Sequence, residues 1–208
     1  MIAIVDYGVG NLFSLRCSLE RIGAQVQVTS DPQVIRKADR VILPGVGAFE
    51  DAARKLRASG LDQVVLEEAA AGKPLLGICL GMQMLFETSY EYGEHRGLGL
   101  LKGKVIGMHG TIPETLAIPH IGWNALHLQQ PDCPLLKYVS ENDCVYFVHS
   151  FYAVDCGDSL AATTEYGCEL TAMVAKDNVF GCQFHPEKSG AVGLSIVKAF
   201  CELEVATC

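Results

Sequence analysis

The sequence is short of charge. Asp, Glu, Lys and Arg make up only 19% of its 208 residues, where about a quarter is ordinary for a soluble domain. Basic residues are the scarcer kind, 16 against 24 acidic ones, for a net charge of −8. This argues against a role built on phosphate backbones or anionic membranes, although a local basic patch would survive such a total. No CxxC pair occurs among the nine cysteines. Their odd number and wide scatter favour neither a disulfide framework nor a structural metal, and the expectation is mostly buried, inert thiols in a reducing cytoplasm. The apolar start, Met1-Ile-Ala-Ile-Val-Asp6, has no basic region before it and meets a charge at once, unlike a signal peptide. Pro74 to Phe86, the longest apolar-looking stretch, is too short to span a bilayer and is broken by Gly77, Gly81 and Gln83. No repeat, low-complexity tract or linker is visible, so a single soluble domain over 1–208 is expected. Apolar residues form half of the chain, which excludes disorder. The mean hydropathy is slightly positive, a hint of a partner-covered surface or of a large buried sheet.

The first half alternates strand, turn and helix. Ile2–Val5 reads as a strand covered on both faces. After a glycine-rich turn, with Asn11 as N-cap, Leu12, Leu15, Leu19 and Ile22 form one helical stripe that stops at Gly23. Further strands are expected at Val26–Thr29, Val41–Leu43 and Leu75–Ile78. Helices are expected from Pro32, over Phe49–Ala58 and Leu61–Ala71, and over Leu80–Glu87. Such units imply an α/β fold with a mostly parallel sheet between helices. Short β-rich runs follow: Lys104–Met108, Trp123–Leu128, Val145–Val154, Leu160–Thr164, Thr171–Ala175 and Val179–Phe184. They suggest an antiparallel extension before a last helix, near Val192–Leu203, that turns Ile196, Val197 and Phe200 inward.

Gly77-Ile78-Cys79-Leu80-Gly81 stands between a strand and a helix. A nucleophile elbow needs small residues two positions either side, because the turn is tight. It sets a thiol at a helix start, where N–H groups favour the thiolate. Gln83, four residues on, shares the helix face of Cys79. A buried cysteine in a glycine-rich turn explains this segment alone equally well. Gln183-Phe184-His185-Pro186-Glu187 weighs against that plain reading. In an extended segment His185 and Glu187 face the same way, so a carboxylate can orient an imidazole, as in a nucleophile–base–acid triad. Pro44-Gly45-Val46-Gly47, at the end of the third strand, can aim backbone N–H groups at an oxyanion.

Together these residues resemble the triad glutamine amidotransferases, class I. Asp6-Tyr-Gly-Val-Gly-Asn-Leu12, Pro44-Gly-Val-Gly-Ala-Phe49, Pro119-His-Ile-Gly-Trp-Asn124 and Val145-Tyr-Phe-Val-His-Ser150 are similar, over nearly the whole chain, to the branch that serves imidazole glycerol phosphate synthesis in histidine biosynthesis. Phe151 departs from the tyrosine of that pattern on the substrate side. The resemblance implies a flavodoxin-like α/β fold and a glutaminase with Cys79 as nucleophile, His185 as acid and base, and Glu187 orienting it. It implies oxyanion donors at Leu80 and in the Val46–Gly47 region, and substrate contacts from Gln83, His149 and Ser150. It also implies a (β/α)₈-barrel cyclase partner that uses the ammonia and is met at Asn11, Trp123 and Lys188, with no cofactor and no metal. His95, His109, His120 and His127 are left as structural or surface residues. Three rivals stay open: a glutaminase for another synthase such as anthranilate synthase, a free-standing cysteine hydrolase, and a scaffold without catalysis.

Overall fold

Runs of apolar residues become strands because the sheet they form is covered on both sides. In the computed structural model, which describes residues 1–204, β1 (Ile2–Val5) buries all four side chains. Ile2 and Ile4 join one apolar cluster, and Ala3 and Val5 join another on the opposite face. The alternation continues through α1 (Leu12–Arg21), β2 (Val26–Thr29), α2 (Pro32–Lys37), β3 (Arg40–Gly45), α3 (Phe49–Ala58), α4 (Leu61–Ala70), β4 (Leu75–Cys79) and α5 (Leu80–Met84). Ile35, Leu56 and Val64 bring α2, α3 and α4 onto the Ala3 face. Leu15 and Leu19 of α1 cover the Ile4 face.

The second half is nearly all β: β5 (Thr88–Ser89), β6 (His95–Arg96), β7 (Lys104–Gly107), β8 (His120–Ala125), β9 (His127–Leu128), β10 (Cys144–His149), β11 (Phe151–Val154), β12 (Leu160–Glu165), β13 (Glu169–Lys176) and β14 (Val179–Cys182). The closing helix α6 (Gly190–Cys201) buries Ile196, Val197 and Phe200 beside α1. The main sheet has the order β2-β1-β3-β4-β14-β13-β12-β9. Pairing is parallel from β2 to β14 and antiparallel from β14 to β9. β10 pairs with β8, and β11-β7-β5-β6 form a third sheet. The fold is therefore the expected parallel α/β sheet with an antiparallel extension.

Local details differ from the sequence reading. The helix expected over Leu80–Glu87 ends at Met84. Past Met84 the turn tightens, with the Leu85 and Phe86 N–H groups reaching the Met82 and Gln83 carbonyls, and the segment 97–101 folds back to donate to the carbonyls of Met84, Leu85, Phe86 and Glu87 that a longer helix would need. The run Val145–Val154 breaks at Ser150, which sends β10 and β11 to different sheets. β8 begins three residues before Trp123, and β14 stops at Cys182. Asn11 occupies the N-cap position of α1 but makes no side-chain capping bond, whereas the Asp31 carboxylate accepts the Gln33 N–H at 2.8 Å and caps α2.

Candidate active site

The carboxyl ends of β3, β4 and β14 lie side by side, with Gly45 level with Cys79 and Cys182 level with Ile78. Parallel sheets characteristically open their clefts at that end. A cleft of about 320 Å³ is found there, bordered by Val46, Gly47, Cys79, Leu80, Gln83, His149, Ser150 and His185. Residues scattered over the length of the chain thus share one space.

Cys79 holds φ +54° and ψ −112°, a backbone region that L residues other than glycine rarely occupy. Its two glycines explain how the turn closes. A Cβ on Gly81 would come within 1.9 Å of the Leu43 carbonyl oxygen, and one on Gly77 within 2.7 Å of the Gly81 oxygen. No side chain fits at either point, so β4 can turn into α5 while touching β3. Such strain persists only where the surroundings over-determine it, and it clusters at functional sites.

His185 faces Glu187 through Nδ1, 2.9 Å from Oε1, with both side chains almost wholly buried. The route differs from the expected extended segment. His185 is extended, but Pro186–Lys188 is a 3₁₀ turn that swings Glu187 back to the imidazole. The His185 N–H donates to the Tyr146 carbonyl, and Ser189 Oγ donates to the His185 carbonyl while accepting the Tyr146 N–H. The turn is thereby stapled to β10. Glu187 Oε2 is buried without a partner among the described residues, so the carboxylate's hydrogen bonding is directed at the imidazole. Burial by itself would lower the His185 pKa. The hydrogen bonds and charges of Cys79 and Glu187 outweigh it and push the imidazole up to about 10. Cys79 and Glu187 therefore flank one buried imidazole, a thiol on one side and a carboxylate on the other.

Around them the cleft is polar in a specific way. Gln83 is buried and spends its NH₂ group on the carbonyl of Phe151 and on Oε1 of Gln183, both at 3.0 Å. Only its oxygen remains for a ligand. His149 uses Nδ1 on the Phe151 carbonyl at 2.9 Å and faces His120 Nδ1 through Nε2 at 3.1 Å. Burial holds its pKa down at about 3, so it is neutral near pH 7. Val46 and Gly47 form the opposite lip, with Gly47 at φ +92°. The loop behind them is tethered by the Tyr7 hydroxyl, which donates to the Pro44 carbonyl at 2.7 Å.

Glu91, Tyr92, Pro119, Val148 and Phe151 complete the border. Glu91 is the acid facing into the cleft; its carboxylate also accepts the Phe49 N–H at 2.8 Å, and burial raises its pKa. A lone glutamate in a polar turn carries no sequence signal of this. Trp123 and Lys188 lie outside the cleft, gathered around the Tyr146 ring, with Lys188 Nζ 5.9 Å from its centre. The 186–188 turn in turn packs against α1, which begins just after Asn11. His120 is buried between Phe147 and Tyr166, and His127 pairs with Glu141 at the surface. Among the described residues no group of three or more His, Cys, Asp or Glu gathers as a metal site.

Comparison with known proteins matches residues 3–202 to the glutamine amidotransferase class-I model. The chain is 51% identical over 202 residues to imidazole glycerol phosphate synthase subunit HisH of Lactococcus lactis subsp. lactis, covering 97% of this chain and 98% of that one. It is 49% identical over 204 residues to the same subunit of Caldanaerobacter subterraneus subsp. tengcongensis, covering 98% of each. Among solved structures, PurLQS of Thermotoga maritima superposes with a TM-score of 0.75 at 21% identity, covering 96% of both chains. The glutaminase domain of Trypanosoma brucei CTPS with bound acivicin superposes at 0.67 and 16% identity, covering 99% of this chain and 95% of that one. At such identities the likeness speaks for the fold.

Proposed function

The chain belongs to the class-I glutamine amidotransferase family, and from that premise we propose that it is the glutaminase subunit of an imidazole glycerol phosphate synthase. It hydrolyses L-glutamine and delivers ammonia to a (β/α)₈ cyclase that makes imidazole glycerol phosphate and aminoimidazole carboxamide ribotide in histidine biosynthesis. One observation carries the reading: Cys79 on its strained elbow shares a cleft with His185, and His185 is backed by Glu187 at 2.9 Å. The chain is read as one amidotransferase domain over 1–208. A reducing cytoplasm suits its eight described cysteines, all free thiols.

In this mechanism the Cys79 thiolate attacks the side-chain amide carbon of glutamine. The oxyanion is held by the Leu80 N–H and by an N–H of the Val46–Gly47 loop. His185 gives its proton to the departing ammonia, leaving a γ-glutamyl thioester, and then takes a proton from the water that releases glutamate. Glu187 keeps the imidazole in the required tautomer. The free Gln83 oxygen and the Glu91 carboxylate suit the α-ammonium of glutamine. The ring nitrogens of His149 are already engaged, so its contribution, like that of Ser150, is assigned to the main chain beside the substrate carboxylate. Asn11, Trp123 and Lys188 are assigned to the cyclase interface.

The test is glutamate and product formation by the assembled synthase. Cys79→Ala should abolish glutamine hydrolysis, while the complex still makes product from added ammonium salts. Loss of both activities would refute the proposed division of labour.

A further inference from the structure

Gln183 has no part in the mechanism above, yet its side chain is fully buried and aimed at the nucleophile. Its Nε2 lies 3.7 Å from the Cys79 sulfur, within donor–sulfur hydrogen-bond distance. Its Oε1 accepts from Gln83 Nε2, which also donates to the Phe151 carbonyl. The direction of this chain is forced from its far end. A backbone carbonyl only accepts, so the NH₂ group of Gln83 must face Phe151. The second hydrogen of that group then points at Gln183, which must answer with its oxygen. What remains toward Cys79 is the Gln183 NH₂ group. Turning either amide over would set like against like in a buried place, which is costly.

We propose that Gln183 is a further catalytic residue: its amide donates to the Cys79 sulfur and stabilises the thiolate, oriented by Gln83 and the Phe151 carbonyl. The proposal rests on the reading of Cys79 as nucleophile. His185 alone cannot supply this service throughout the cycle, because its proton must leave with ammonia and be regained from water. An amide N–H does not exchange its role in this way. It faces the sulfur when the thiolate attacks and again when the thioester breaks and sulfur leaves as an anion. A hydrogen bond to a charged acceptor corresponds to roughly ten- to hundredfold in the equilibrium it favours.

The experiment uses the assembled synthase carrying Gln183→Met or Gln183→Glu. Methionine keeps approximate size and removes the donor. Glutamate keeps shape and the acceptor for Gln83 but sets a carboxylate against the sulfur. Alkylation by iodoacetamide is followed across pH by mass spectrometry of the Cys79 peptide, beside kcat and KM for glutamate release. The half-maximal pH of alkylation should rise by about one unit with methionine, and further with glutamate. The kcat should fall roughly tenfold or more, with KM for glutamine within about twofold. Ammonia-driven synthesis and co-elution with the cyclase should be retained. A wild-type alkylation profile and kcat in either assembled variant would overturn the proposal. So would failure of both variants to assemble, which would make Gln183 a folding residue. Retained glutaminase activity in Cys79→Ala would instead remove the reading beneath it.

Discussion

Histidines 149 and 185 sit in the same cleft under opposite electrostatic constraints, and the difference has consequences for stability. His185 has a carboxylate and a sulfur to receive its charge; His149 has a carbonyl and another imidazole. Burial therefore dominates at His149 and holds it at about 3, against an ordinary 6.5. Between those values the unfolded chain binds a proton that the folded chain refuses. Stability from this group is complete above the ordinary value and is lost as pH falls toward the folded one. The loss approaches about 1.4 kcal/mol per pH unit for one proton. His149→Gln should remove this slope. Urea unfolding at pH 7 and pH 4.5 checks it: wild type should lose more stability between the two than the variant. Equal losses would assign the acid sensitivity to other groups.

Two elements do most to shape the site, the elbow and the loop after β3. With the Leu43 oxygen 1.9 Å from where a Gly81 Cβ would stand, Gly81→Ala requires the start of α5 and the backbone of β3 to move apart. About 2 kcal/mol or more of stability should be lost, together with glutamine hydrolysis, as thermal melts and a glutamate assay would record. A variant with the wild-type melting temperature would mean that the elbow is looser than described. The loop is different in kind. Tyr7 anchors it at Pro44, but Val46, Gly47 and Ala48 are exposed, and Gly47 has a positive φ that proline cannot adopt. Its peptide units can reorient at low steric cost. An oxyanion donor that is absent until the cyclase binds its own ligand would restrain the resting enzyme by roughly 10²–10³ in rate. Gly47→Pro should accordingly depress the stimulated rate far more than the basal one. Glutamate release is to be compared in the isolated subunit, the complex and the complex with cyclase ligand. Equal wild-type rates in all three would refute the switch.

For the molecule as a whole, one feature of the surface stands out. Trp123 is 55% exposed and Ile121, two positions before it on the same face of β8, is 58% exposed, an apolar presentation for a chain with so little charge. Trp123 belongs to β8, whose partner strand β10 ends at His149 and carries the Tyr146 carbonyl that receives the His185 N–H. The surface is thus tied by backbone hydrogen bonds to the site. Trp123→Ala should weaken association or coupling without altering the triad, so that glutamate formation outpaces synthase product or the complex dissociates more readily. Unchanged coupling and affinity would make Trp123 an ordinary surface aromatic.

By itself the sequence determined what local patterning controls. The doubly covered strand Ile2–Val5, the bounds of α3, the elbow glycines and the pairing of a late histidine with glutamate were all legible, because each rests on residue types a few positions apart. Tertiary contact decided the rest. α5 tightens after Met84 and cannot run on, because the segment 97–101 takes the carbonyls of Met84 to Glu87 that a longer helix would need. Ser150 parts two strands that read as one, because their hydrogen-bonding partners lie in different sheets. Glu91 and Gln183 carry no signal in their own neighbourhoods. Glu91's place in the cleft and Gln183's place beside the Cys79 sulfur depend on which acceptor or donor arrives from a distant element, and hydrogen-bond complementarity across the fold is not written in local sequence.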